Sequence, residues 1–240
     1  MSPIDWRRDG AVAIVVMQKD DNTMNIDFVD GMFDVLDAIL EDKDMTAVVI
    51  TSGNKKNWSI GLDMNWLGTL IAENDVALLK RFMLRIDDMF KKILLYPLPV
   101  IAAINGHAFG SGAILSCACD FRFMKADKGY FCFPEIDLGI PFMPGQLAFC
   151  QKAIPVQKFQ ELLLTGKRAG AKELEACQAI LKACADEAEL FQEAIGFARS
   201  LHKKRGIFGE MKKRHNQPMV TKLENEDSKY IDSMAVLISD

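Results

Sequence analysis

Asn105-Gly106-His107-Ala108-Phe109-Gly110-Ser111-Gly112 lies between an apolar, β-branched run, Val100 to Ile104, and a run of mostly small residues, Ala113 to Ala118. The layout predicts a strand, a glycine turn and a helix start. Glycines let a backbone turn sharply and approach a ligand closely. The first amides of a helix have no carbonyl partner, so such a turn can face an anion. Ile114 stands just beyond, at a position where a carboxylate would have been in reach, and a lone acid follows in Phe133-Pro134-Glu135-Ile136. The number of acids decides which reaction such a site can perform.

Outward from this stretch, strand and helix signals alternate. Ala11 to Met17 and Ala47 to Thr51 are β-like; between them Phe28, Met32, Val35, Leu36, Ile39 and Leu40 recur at helical spacing. Leu78, Leu79, Phe82, Ile86, Met89, Phe90 and Ile93 mark a second amphipathic helix, closed by Pro97 and Pro99. Strand signals end after Phe121 to Met124 and Tyr130 to Phe133. From Gln146 onward the chain reads as consecutive helices, one with Leu190, Ala194, Phe197 and Leu201 on a face. The pattern predicts an α/β core with a helical appendage. No repeat, linker or low-complexity tract divides it.

A chain of 240 residues, half of them hydrophobic, suffices for one packed core. The net charge of -4 argues against nucleic acid as a partner, because phosphate contacts need a clustered basic surface. No apolar run approaches the roughly 20 residues that span a bilayer. Ala11 to Met17 follows Arg7 and Arg8, but Asp5 and Asp9 flank those arginines and no small-residue cleavage site follows, so the run is expected to be a strand and not a signal peptide. The final Ile238-Ser239-Asp240 is not a peroxisomal tripeptide. Cys117, Cys119, Cys132, Cys150, Cys177 and Cys184 lack zinc-site spacing and are expected to be buried free thiols. A reducing, cytoplasmic setting is the corresponding expectation.

A second glycine turn, Trp58-Ser59-Ile60-Gly61-Leu62-Asp63, follows the Ala47 to Thr51 strand and a polar loop. It can present the Leu62 amide to the space faced by the Ser111 amide. Two convergent amides would stabilise an enolate or a tetrahedral oxyanion, each donor being worth about 3 to 4 kcal/mol in the transition state. Ser59-Ile60-Gly61-Leu62-Asp63, Asn105 to Gly112, Cys119-Asp120-Phe121-Arg122 and Pro134-Glu135-Ile136-Asp137-Leu138-Gly139 together resemble the ordered signature of the crotonase (enoyl-CoA hydratase/isomerase) superfamily. Glu161 to Arg168 resembles that family's next helix and turn. The resemblance runs in order over about residues 10–180, more loosely beyond.

The resemblance implies a crotonase-like (ClpP/crotonase) α/β fold of stacked ββα units, with a core over residues 1–180 and a helical trimerisation region over 181–240. It further implies a homotrimer or hexamer and an acyl-coenzyme A thioester substrate, coenzyme A being part of the substrate and no separate cofactor or metal being needed. The thioester carbonyl would be held by the amides of Leu62 and Ser111, with Ser59, Ile60, Gly61, Asp63, Met64, Gly110 and Pro134 around the substrate. Ser111 stands where many members have glycine, a departure that an amide contact tolerates. Family hydratases use two glutamates; one falls here at Ile114, which transfers no proton, and the other at Glu135, which does.

A single acid suits a proton shuttle, in which C2 of a 3-enoyl thioester loses a proton, the dienolate is held, and C4 receives one. This arrangement is similar to that of the isomerases that convert 3-enoyl-CoA to 2-enoyl-CoA. Apolar neighbours such as Phe133 and Ile136 should raise the Glu135 pKa into the useful range. A hydratase and a catalytically silent acyl-CoA-binding protein are the alternatives. In the dienoyl-CoA isomerase branch a second acid would fall near Met143, where this chain has none.

The remaining polar candidates have simpler readings. Asp137 is a second acid of undetermined direction. Asp63 and Asp120 are expected to cap turns or pair with Arg122, and His107 to be a packed histidine. Lys203, Lys204, Arg205, Lys212, Lys213 and Arg214 form either a solvated helix face or a site for coenzyme A phosphates. Met64, Trp66, Leu67 and the Phe82 to Phe90 helix face are candidates for an acyl pocket.

Overall fold

The computed structural model describes residues 2–234; Met1 and residues 235–240, with the terminal Ile238-Ser239-Asp240, lie outside the described residues. The chain opens with β1 (Ile4–Asp9), β2 (Val12–Met17), α1 (Ile26–Glu41), β3 (Ala47–Ser52), β4 (Asn57–Ser59), α2 (Met64–Ala72) and α3 (Val76–Leu95). There follow β5 (Val100–Ile104), β6 (His107–Phe109), α4 (Ser111–Ala118), β7 (Phe121–Lys125), β8 (Phe131–Cys132), α5 (Glu135–Leu138), α6 (Pro144–Ala153), α7 (Val156–Thr165) and α8 (Ala171–Ala176). The last part holds β9 (Lys182–Cys184), α9 (Glu187–Ser200), α10 (Arg205–Lys222), a π-helical turn (Leu223–Asp227) and α11 (Ser228–Asp232).

Two sheets explain the repeated ββα pattern. In β3-β4-α2, β5-β6-α4 and β7-β8-α5 the first strand joins a six-stranded sheet of order β1-β2-β3-β5-β7-β9 and the second joins a three-stranded sheet of order β4-β6-β8, whereas β1 and β2 both lie in the larger sheet. All pairings are parallel except β1 with β2. Both faces of the large sheet are covered, which is why its strands read as continuous apolar runs. Ala13, Val15, Val48, Ile50, Val100 and Ala102 face the main core beneath α1 and α3. The alternate residues Val12, Ile14, Val49, Ile101 and Phe123 pack under Leu190, Ala194 and Ala198 of α9.

The predicted strands and helices of the first half are present, and the structure adds α2, the short strands β4 and β6 at the two glycine turns, and the edge strand β1. Its sequence, Ile-Asp-Trp-Arg-Arg-Asp, carries charges on an edge strand, where they discourage further pairing and mask the β pattern. A second correction concerns the C-terminal part. Beyond Gln146 the chain is not helical throughout, because Lys182–Cys184 pairs in parallel with Phe123–Lys125 as β9. Three residues are too few for periodicity to reveal a strand; the partner makes it one. The six cysteines are free, and all but the partly exposed Cys177 are buried. Among the described residues no helix is long and apolar enough to cross a membrane.

The basic cluster around α10 resolves into two kinds of residue. Arg205 donates to the carbonyls of Leu40 at 3.0 Å and Met45 at 2.7 Å, and to that of Asp42, closing the C-terminal end of α1. Lys212, buried, donates to the Ile93 carbonyl at 2.9 Å and to Asp120 Oδ2 at 2.8 Å, while Asn216 donates to the Leu94 carbonyl at 2.6 Å. Cations and amides thus satisfy the orphan carbonyls at two helix ends. Lys203, Lys204, Lys213 and Arg214 remain exposed.

Asp120 does not pair with Arg122. It accepts from the Val100 amide at 2.8 Å as well as from Lys212, whereas Arg122 donates to the carbonyls of Ser116, Cys119 and Ala179. Lys212→Met is expected to cost about 3 kcal/mol, because it removes the buried cation that pairs with the largely covered Asp120 carboxylate. Urea unfolding measures this; a midpoint unchanged from the parent would refute the role of the pair.

Candidate active site

Three turns, one from each ββα unit, meet between the sheets and α3. The first is the β4–α2 turn. Met24 and Leu62 form an isolated parallel bridge, in which the Met24 amide donates to the Gly61 carbonyl at 2.8 Å and the Asp63 amide to the Met24 carbonyl at 3.0 Å. In such a bridge the middle residue's own amide points the other way. The Leu62 N–H is therefore directed away from Met24.

Gly61 permits this approach. Its φ is +95°, and a Cβ there would stand 2.9 Å from both the Phe109 carbonyl oxygen and the Ser111 nitrogen. The second turn is equally tight: a Cβ on Gly112 would stand 2.3 Å from the Ser59 carbonyl oxygen. Ser111 opens α4, so its amide precedes the helical ladder and has no carbonyl four residues back. Two glycine turns, about fifty residues apart in sequence, are thus packed backbone to backbone with two amides at their junction.

Glu135 opens the short helix α5 after β8 and Pro134. Its Oε1 would lie 3.3 Å from a Cβ on Gly110, which sets the carboxyl group over the second turn. Its Oε2 is buried without a hydrogen-bond partner. Burial raises the Glu135 pKa from 4.5 to about 7. The neighbours assigned to this effect are only partly right, since Phe133 is buried but Ile136 is half exposed. Desolvation comes from the surrounding cleft.

That cleft is lined by Ile60, Leu62, Met64, Gly110, Ser111, Pro134 and Glu135 of the expected set, together with Ile114. Ser59, Gly61 and Asp63 stand behind this wall. Ser59 Oγ donates to the Asn22 carbonyl at 2.8 Å and accepts from the Gly61 amide at 3.3 Å, and Asp63 caps α2 by accepting from the Trp66 amide at 3.0 Å. They shape the turn that holds Leu62. Trp66 packs edge-on against Phe82, and Leu67 is buried in the core. Among the described residues, Glu135 is the only acid in the lining, because Asp137 is exposed on the outer side of α5 near Gly166.

His107 is the packed histidine expected of it. Its Nδ1 accepts from the Tyr130 amide at 3.2 Å, its ring stacks on Tyr130, and burial, with Lys56 and Arg168 nearby, lowers its pKa. Sequence reasoning missed Met83, Leu138, Ile140, Pro141 and Gln146, which complete the cleft with Ile86 and Met143. Only the helical stripe of α3 hinted at any of them. Gln146 carries no local signal, since its place in the wall depends on α6 docking against α3.

Stacked ββα units followed by helices, with two glycine-turn amides and one desolvated acid at their junction, define a crotonase-like α/β protein. The chain belongs to the enoyl-CoA hydratase/isomerase family, whose model matches residues 7–236. It is similar to the enoyl-CoA delta isomerase 3 of Arabidopsis thaliana, with 27% identity over 206 residues that cover 83% of this chain and 84% of the relative. Two solved structures share the fold. One is an enoyl-CoA hydratase/isomerase family protein from Pseudomonas syringae, with a TM-score of 0.85, 19% identity and 97% and 98% of the two chains covered. The other is an enoyl-CoA hydratase from Bacillus halodurans, with a TM-score of 0.85, 17% identity and 98% and 97% covered.

Proposed function

We propose that this protein isomerises 3-enoyl-CoA to trans-2-enoyl-CoA. The thioester oxygen is bound by the Leu62 and Ser111 amides, which gain strength as charge builds on it in the dienolate. Glu135 removes a proton from C2 and returns one to C4, so that the double bond moves with no net gain or loss of atoms. The observation that carries this reading is that, among the described residues, Glu135 is the one carboxyl group in a largely apolar cleft, with Ile114 where a hydratase's second glutamate is implied. Water addition would need a second group to orient the nucleophile, and an isoleucine cannot provide it. The name of the Arabidopsis relative agrees with the isomerase reading. Assembly into trimers through the C-terminal helices is part of the same proposal, and light scattering of the purified protein checks it.

Incubation with 3-enoyl-CoA thioesters of several lengths in deuterated water tests the chemistry. The expected product is the 2-enoyl thioester, with deuterium at C2 or C4 and no hydroxylated product. Formation of 3-hydroxyacyl-CoA from 2-enoyl-CoA at a rivalling rate would favour a hydratase; tight acyl-CoA binding without turnover would favour a silent binding protein. The pH profile supplies a second check. A general base must be ionised to act, so kcat/KM is expected to rise through about pH 7 and level off above it, following Glu135. A profile that is flat from pH 6 to pH 8 speaks against Glu135 as the base.

A further inference from the structure

The cleft has an open end and a closed end. Met64 and Leu138 are more than half exposed and mark its mouth, whereas Ile86, Ile114, Met143 and Gln146 are buried. A thioester held between Leu62 and Ser111 would send its acyl chain toward this closed end. Hydrocarbon walls suit that end, yet Gln146 lies there, 8% exposed. Among the described residues, only Ser111, Glu135 and Gln146 bring polar side chains to the lining.

Gln146 is held from two sides. Its Oε1 accepts from the Met143 amide at 3.4 Å, and its Nε2 donates to Asp87 Oδ1 at 3.4 Å. A primary amide has two N–H donors and two acceptor positions, so among the described residues one of each remains unused. Asp87 lies behind it on α3, with Oδ2 buried and unpartnered. Burial, with Asp227 nearby, pushes the Asp87 pKa well up. Asp227, delivered by the π-helical turn, accepts from the Gly145 amide at 2.7 Å and fixes the start of α6 next to Gln146. Gln146 thus caps the start of α6 through its oxygen, and its Nε2 is turned toward Asp87 of α3.

We propose that Gln146, positioned by Asp87, is a specificity-determining residue that reads a hydrogen-bonding group on the acyl chain of the thioester. The inference rests on the reading of the cleft as an acyl-CoA site. A hydroxyl or carbonyl oxygen at the right distance from the thioester meets the free N–H or the free lone pair of Gln146. A plain hydrocarbon chain of the same length leaves both unpaired.

Saturated acyl-CoA thioesters of four, six and eight carbons and their terminally hydroxylated counterparts are the probes, because they bind without turning over. Calorimetry on the full-length protein is expected to show the hydroxylated member binding roughly tenfold more tightly at one of the three lengths. Gln146→Met, which keeps length but not hydrogen bonding, should abolish that preference. Asp87→Leu should abolish it as well, and Asp87→Asn, which keeps an acceptor for the amide, should retain it. The ratio of two affinities does not depend on the fraction of protein folded, so a loss of stability in these variants does not obscure the result. Absence of any preference in the parent protein, or its persistence in Gln146→Met, overturns the inference while leaving isomerase activity as a separate measurement. Failure to bind any acyl-CoA overturns the reading of the cleft as well.

Discussion

Replacement of Glu135 by glutamine is expected to lower kcat/KM for 3-enoyl-CoA isomerisation by about 10² to 10⁴, the range for loss of a general acid-base group. The substitution is nearly isosteric and keeps the cleft's shape, so acyl-CoA affinity should change far less than turnover. Stability should move in the opposite direction from activity. Glu135 titrates at about 7 in the fold against an ordinary 4.5, so the folded chain binds this proton more tightly than the unfolded chain does. The associated stabilisation is complete below about pH 4.5 and is lost as pH rises through 7. Above that, the native state carries a buried carboxylate whose Oε2 has no partner. An amide carries no such charge, and thermal unfolding should show Glu135→Gln gaining more in Tm at pH 8 than at pH 5. Full activity in the variant would remove Glu135 from the mechanism; equal Tm changes at the two pH values would contradict its desolvation.

Gly61→Ala is expected to lower isomerase turnover by about 10² to 10³, the usual effect of losing one oxyanion donor. The added methyl group is small, but it meets backbone on both contacts, the Phe109 carbonyl and the Ser111 nitrogen at 2.9 Å, and neither can swing aside as a side chain end could. The φ of +95° adds strain for any residue with a Cβ. Relief requires the two turns to separate, which displaces the Leu62 amide relative to the Ser111 amide. The damage should therefore appear mainly in kcat, with circular dichroism and saturated acyl-CoA binding largely preserved. Retention of isomerisation within about tenfold of the parent, below the range for one lost donor, would show that the junction of these turns does not bind the reacting oxygen.

Much of this architecture is legible locally. Phe28, Met32, Val35, Leu36 and Ile39 repeat at helical spacing because one side of α1 is buried, and Asn25 caps it by accepting from the Phe28 amide at 3.1 Å. The continuous apolar runs of β2, β3 and β5 reflect a sheet covered on both faces. The two glycine turns, the lone Glu135 and the isoleucine at 114 were equally visible, since each is a feature of a few adjacent residues. Asp120 was not. Its partners, Val100 and Lys212, come from β5 and α10, and proximity to Arg122 in sequence says nothing of which group its oxygens face.

By itself, the sequence determined the longer apolar strands and the amphipathic helices of the first half, the places where the backbone must turn on glycine, and the presence of a lone acid at 135 with an isoleucine at 114. These follow from side-chain periodicity, backbone conformational freedom and residue identity, which are properties of short segments. Tertiary structure alone decided that Gly61 and Ser111 come together, that Lys182–Cys184 becomes a strand, that Lys212 and Arg205 close helix ends, and that Gln146 reaches the floor of the cleft. It also raised the Glu135 pKa to about 7. Each of these depends on what distant segments exclude or supply, above all the removal of water, and burial is a property of the folded surroundings that no short stretch of residues contains.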